Sequence, residues 1–150
     1  MLKPIFVFML GDSRYGLPLN AVDRAVRAVA ITPLPKAPDI VLGVVNVQGR
    51  VIPVINLRRR FRLPEREIAL TDQIIIAHTA RRSLALVTDA VHGIVECSEG
   101  EFVAREAIIP GLEYVEGIAR MPDGLILIHD VDKFLALEEE ASLEDAMKNV

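Results

Sequence analysis

The sequence predicts an all-β fold, a barrel or a sandwich, on three observations. Val and Ile supply 32 of its 150 residues, and β-branched side chains suit pleated, half-buried surfaces. The apolar residues gather in runs of four to eight, too short for most helices. Turn-forming pairs and triplets punctuate those runs at hairpin spacing.

The runs in chain order are Ile5–Leu10, Ile40–Val47, Val51–Leu57, Gln73–Ala77, Leu84–Val87, Val91–Val95, Tyr114–Ala119 and Leu125–Ile128. Gly11-Asp12, Gln48-Gly49, Ala80-Arg81-Arg82 and Pro122-Asp123-Gly124 are expected to connect them as hairpins. Between the first two runs, a short helical turn near Leu19–Asp23 should lead into a strand. Thr32–Pro38 holds three prolines and reads as a loop. Pro53, inside an apolar run, is expected to mark an edge strand or bulge, and so a docking edge, because it cannot donate to a central ladder. After Val131 the apolar spacing turns helical, with Ser142 as a candidate N-cap before Leu143 and an acidic, frayed end.

A weak internal repeat runs through this pattern. GVVNVQGRVIPVINLRRRF (43–61) parallels GIARMPDGLILIHDVDKF (117–134), and Tyr15–Val26 more faintly parallels Leu84–Val95. The offsets, near 69 and 75 residues, make the unit about half the chain. Charge also divides by halves. Residues 1–70 carry 11 basic and 5 acidic side chains, a net of +6, and residues 71–150 carry 6 and 16, a net of −10. Such polarity favours oriented association with other proteins, although five of those acids lie in the C-terminal tail.

Composition excludes several classes. Half the residues are hydrophobic and mean hydropathy is +0.34, which argues against disorder. A single cysteine excludes a disulfide framework, and no run approaches the ~20 residues of a membrane span. The expected setting is soluble and cytoplasmic. Arg58–Arg60, Phe61 and Arg62 would suit nucleic acid, but the aromatics that stack bases are scarce. His78, His92 and His129 lack metal-ligand spacing, no phosphate-binding loop or nucleophile elbow occurs, and Asp89 with His92 reads as a surface turn pair. No enzyme, cofactor or metal is expected.

Tyr15–Val26, Ile31–Pro38, Val41–Phe61, Leu84–Val91 and Tyr114–Leu135, in order along nearly the whole chain, resemble the CheW-like family of chemotaxis adaptors. The most specific block is G-V-x-N-x-x-G-x-x-x-P-x-x-x-L, from Gly43 to Leu57. The resemblance implies one domain, 1–150, made of two interlocked five-stranded SH3-like barrels with short helices, one of them C-terminal. The first barrel would span roughly 14–70. The second would span roughly 71–135 with the N-terminal strand 4–11, leaving a helical tail at 136–150.

It also implies a non-catalytic scaffold that couples chemoreceptor cytoplasmic hairpin tips to the regulatory domain of a CheA-type histidine kinase. No direct membrane insertion and no nucleic acid are implied. The implied partner-facing positions are Val22, Arg24, Gly43, Asn46, Gln48, Gly49, Asn56 and Arg58, with Ile74 and Ile75 lining the same groove. Three of these depart from the family's pattern, which usually has arginine at 48, aspartate at 56 and often glutamate at 24. Gln48 cannot replace a bidentate, permanently charged donor, which implies altered partner choice, as in a divergent array controlling pili or gene expression. A small β-barrel nucleic-acid binder is the rival from another class.

Overall fold

The computed structural model describes residues 2–104, 115–148 and 150. Its strands are β1 (Lys3–Leu10), β2 (Ser13–Pro18), β3 (Val22–Arg27), β4 (Val41–Val47), β5 (Arg50–Ile55), β6 (Gln73–His78), β7 (Ser83–Thr88), β8 (Ala90–Cys97), β9 (Phe102–Ala104), β10 (Val115–Met121) and β11 (Gly124–His129). The expected turn before β3 is a 3-10 turn at Leu19–Ala21, and the four expected hairpins join β1–β2, β4–β5, β6–β7 and β10–β11. Tyr114, expected to open the seventh apolar run, lies outside the described residues.

Two mixed sheets result. One has the order β3-β6-β7-β5-β4 and the other β8-β1-β2-β11-β10-β9. Apart from β9, the orders correspond strand for strand. Each sheet centres on a hairpin, β6–β7 or β1–β2, whose second strand runs parallel to the second strand of another hairpin, β4–β5 or β10–β11. The half-length repeat in the sequence is therefore a repeat of strand order. The sixth strand, β9, resumes the path of β8 after a 3-10 turn at Glu99–Glu101 and pairs with β10. In the other sheet the chain beyond β3 returns at Thr32 to bridge Val44. Both sheets thus curl back on themselves, consistent with paired SH3-like barrels.

The barrels interlock because each edge strand is delivered by the other sheet. β2 feeds β3 through the 3-10 turn, and β7 feeds β8 through Asp89 alone. Hydrogen bonding consequently divides the sheets at residues 18–22 and at 89, and β6 and β7, beyond the expected divide near 70, pair within the sheet of β3–β5.

Central strands are buried on both faces, which is why they read as continuous apolar runs. In β1, Ile5 and Val7 enter the interior of their own barrel with Cys97, Ala119, Ile126 and Ile128. Phe8 and Leu10 point the other way, into a layer shared by the two sheets. β6 repeats the device: Ile74 and Ile76 fill the second barrel with Val45, Ile52, Val54 and Ala85, while Ile75 and Ala77 join the shared layer. Tyr15, Leu17, Ile55, Leu84, Leu86 and Phe134 complete that layer.

Pro53 stands where β5 is open on one side: the strand lies between β4 and β7, but the parallel ladder to β7 covers only Val54 and Ile55, so Arg50–Pro53 pair with β4 alone. One expectation is corrected. The C-terminal helix α2 spans Leu137–Met147, starting before Ser142, which sits exposed inside it. Its start is stabilised by Glu139, whose Oε1 accepts the Ala136 N–H at 2.8 Å, and by acidic residues placed at the positive end of the helix dipole.

Phe134→Ala empties the middle of the shared layer and is expected to cost about 3–5 kcal/mol. Ile94→Ala, at a side chain 59% exposed, should cost less than about 0.5 kcal/mol. Denaturant unfolding of the two variants compares them directly.

Candidate partner-binding surface

The β4–β5 turn carries three of the expected partner-facing residues. Gln48 (φ 51°) and Gly49 (φ 84°) both take left-handed backbone, the geometry of a two-residue type I′ turn whose twist matches the strands it joins. Asn46 Oδ1 accepts the Gly49 N–H at 2.9 Å and stiffens the turn. Asn46 is thereby committed to the turn, while Gln48 stands exposed at its tip. Arg50, the residue after the turn, fastens the tip end of the hairpin to the start of β7 through a 2.7 Å bond to Ser83 Oγ. Leu42 and Val51, 37% and 40% exposed, flank the hairpin with apolar surface. Neither was singled out from the sequence, because both lie in continuous apolar runs that do not alternate in burial.

Gly43 is buried beneath this surface. Its φ is 150°, and an added Cβ would lie 2.3 Å from the Thr32 carbonyl oxygen. The glycine is required by close backbone approach where Thr32 bridges β4. Gly117 stands at the corresponding bulge of β10, packed under the Phe102 ring.

A second group lies at the far end of β5, about 20 Å along the strand at ~3.3 Å per residue. Asn56 caps the short helix α1 (Leu57–Arg60): its Oδ1 accepts the Arg59 N–H at 3.1 Å, and its Nδ2 donates to Glu65 Oε1 at 2.7 Å. The bond from Asn56, joined by one from Arg59, holds Glu65 below the usual carboxylate range. Arg58 donates through Nη2 to both Asp89 oxygens at 2.6 and 2.8 Å and through Nη1 to the Pro64 carbonyl. Arg66 reaches the same Asp89 and also Asp72, and Asp89 further accepts the Gly11 N–H at 2.7 Å. Burial disfavours charge on Asp72 and Asp89. Yet the donors from Arg66 and Ala69 to the first, and from Arg58, Gly11 and Arg66 to the second, outweigh burial and keep both carboxyls below their ordinary value. Asp89 is therefore no turn partner of His92; it fixes the point where the chain passes between barrels.

The remaining expected residues are not brought to one place. Arg24 is exposed on β3, at the opposite end of its sheet order from the hairpin, and Val22 is half-buried against the shared layer. Ile74 and Ile75 do not line a groove. Both are fully buried, one inside the barrel and the other in the shared layer, because the two faces of β6 belong to different cores.

The arginine run is largely neutralised by the chain's own acids. Besides Arg58, Arg59 pairs with Glu65 at 3.3 Å and Arg60 with Glu139 at 2.8 Å. Among the described residues no three His, Cys, Asp or Glu side chains converge as a metal site. His78 meets Asp23 at 2.8 Å, and His129 stacks on Phe61.

Two strand-exchanging barrels around a shared apolar layer, with a stiffened hairpin projecting from one of them, define a two-lobed β scaffold. A family model described as CheW-like domain matches residues 4–139. The chemotaxis protein CheW of Treponema pallidum is 26% identical over 141 residues, covering 90% of this chain and 83% of that one. The chemotaxis protein CheW of Bacillus subtilis is 28% identical, covering 93% and 91%. Among solved structures, the scaffolding protein TtCheW from Thermoanaerobacter tengcongensis superposes with a TM-score of 0.83 at 31% identity, covering 93% of this chain and 96% of that one. The chain belongs to the CheW-like domain family.

Two predictions follow from the network around α1. Because Asp72 and Asp89 titrate below the unfolded value of about 3.9, the stability they confer is complete above about pH 5 and is lost as pH falls through their folded values. Asp89→Asn should lower the denaturation midpoint at pH 7 and reduce its further loss between pH 5 and 3. Asn56→Asp sets a carboxylate against Glu65 and should lower the melting temperature at pH 7, with Glu65→Gln in the same chain restoring much of it. Thermal scans of the single and double variants measure that coupling.

Proposed function

We propose that this chain is a chemotaxis adaptor that works by binding rather than catalysis. It would join the cytoplasmic hairpin tips of chemoreceptors to the regulatory domain of a CheA-type histidine kinase. The observation that carries the reading is the family match over residues 4–139, which takes in both barrels and the β4–β5 hairpin. The TtCheW structure, similar over nearly its whole length, is itself described as a scaffolding protein. No helix among the described residues is long and apolar enough to cross a membrane, and we place the adaptor at the cytoplasmic face of receptor arrays.

The nucleic-acid alternative is disfavoured by the fate of its only support. Arg58, Arg59 and Arg60 already pair with Asp89, Glu65 and Glu139, which leaves little of that run to displace counterions from phosphate.

Within the adaptor reading, the exposed β4–β5 tip is the element that selects the kinase domain, and glutamine at 48 tunes that choice. Gln48→Arg places a guanidinium on an already left-handed, exposed position, so the fold should tolerate it. Affinity for a kinase regulatory domain of the common type is expected to rise about tenfold, as one charge-assisted bond at an interface supplies. Isothermal titration checks this, and an unchanged affinity removes position 48 from partner selection. Co-sedimentation with a receptor hairpin and a kinase regulatory domain tests the adaptor reading itself. Retention of at least one partner is expected, and loss of both would overturn it.

A further inference from the structure

The β7–β8 junction at Asp89 is one of the two points at which the chain passes from one sheet to the other. Among the described strands, β3 to β7 pair only with one another. Those after Asp89 pair only with β1, β2 or each other. The segment from Ala90 onward cannot finish a core alone: Cys97, Ala119, Ile126 and Ile128 are closed by Ile5 and Val7 from β1. Nor can the shared layer close without Val131, Phe134 and Leu143 from that segment.

The two pieces also attract. Residues 1–89 hold 13 basic and 7 acidic side chains, while residues 90–150 hold 4 and 14. That opposition is realised in contacts: Arg60 with Glu139, Arg82 with Glu140 at 2.6 Å, and the Ala80 N–H with Asp132. The connection between the pieces is one residue joining two strands without a reversing hairpin. Opening it needs no tight turn to be undone.

From this we propose that a second copy of this chain is a partner by exchange: β8–β11 and α2 of each copy seat on β1, β2 and the shared layer of the other, with Asp89 as the hinge. A closed monomer and an exchanged dimer then make the same contacts everywhere except around the hinge, so concentration and hinge geometry set the balance between them. The bonds from Arg58, Arg66 and the Gly11 N–H hold Asp89 in the direction that favours the monomer. The exchanged dimer carries two β4–β5 hairpins, which makes it bivalent for any target of that hairpin. This inference stands apart from the adaptor reading and does not depend on it.

The lone cysteine provides the test. Lys3 and Cys97 are opposed on β1 and β8, and opposed residues of antiparallel strands lie within disulfide range. In Lys3→Cys, mild oxidation should cross-link a monomer internally and an exchanged dimer between chains. Cys97 is fully buried, out of reach of a copy that merely touches the surface, whereas position 3 is exposed, so Lys3→Cys combined with Cys97→Ser must give no covalent dimer under the same conditions. Refolding at micromolar concentration should give internally linked monomer. Refolding a hundredfold more concentrated should give a covalent dimer on a denaturing gel, removed by reductant, and Asp89→Asn should raise its fraction severalfold. Internally linked monomer alone at every concentration overturns the proposal, and a dimer fraction indifferent to Asp89→Asn overturns the hinge. The unsubstituted chain gives an independent reading by light scattering. A dimer formed by concentrated refolding should persist for hours after dilution, because separation requires unfolding a barrel, and dissociation within minutes contradicts exchange.

Discussion

The apolar layer between the two sheets is the constraint on which the rest of the molecule depends. Neither sheet can close it alone: Phe8, Leu10, Tyr15 and Leu17 come from one, Ile55, Ile75, Ala77, Leu84 and Leu86 from the other. Two small barrels of this size would each be marginal if they folded separately, since little surface is buried in so short a chain. Stacking them over a common layer turns two shallow cores into three connected ones. The passage of β3 and β8 from one sheet to the other prevents the layer from opening without breaking backbone ladders. The hairpin at Gln48 can therefore project as a rigid feature, held by a barrel that is itself held by its neighbour.

Charge reinforces the same junction. The sequence is polarised, basic early and acidic late, which ordinarily points outward to oppositely charged partners. Here much of that opposition is consumed internally. Arg58 and Arg66 meet Asp89, Arg60 meets Glu139, and Arg82 meets Glu140, each pair joining the barrel of β3–β7 to the chain that follows it. Glu140 is buried, and Arg60 and Arg82 are mostly covered. Such pairs contribute to uniqueness more dependably than to stability, because desolvation offsets much of their attraction. Their consequence is that the arginine run is not a free basic patch.

Much of this was legible in the sequence for identifiable reasons. Tight turns announce themselves through local chemistry, so the hairpins at Gly11-Asp12, Gln48-Gly49 and Pro122-Asp123 and the short turn before β3 could be placed from the residues alone. The half-length repeat survived as a repeat of strand order. What periodicity could not reveal was which core each face of a strand would meet. Ile74 and Ile75 look alike in sequence, yet they enter different cores, and neither faces a groove. Pro53 could be read as a locally open edge because a residue without an N–H does not extend a ladder, and the one to β7 covers only Val54 and Ile55. Asp89 gave no signal beyond its distance of three from His92, because its partners Arg58, Arg66 and Gly11 are brought to it only by tertiary structure. Ser142 misled as a cap because an acidic first turn, not a Ser, Thr, Asp or Asn cap, opens α2.

The central claim is that the shared layer makes the two barrels one cooperative unit. Native-state hydrogen exchange on the intact chain measures this most directly, through the opening free energies of amides in β1–β2 and in β6–β7. The account predicts that the slowest amides of both hairpins exchange with the same free energy, equal to that of global unfolding. A barrel that opens at a distinctly lower free energy while the other stays protected would contradict it.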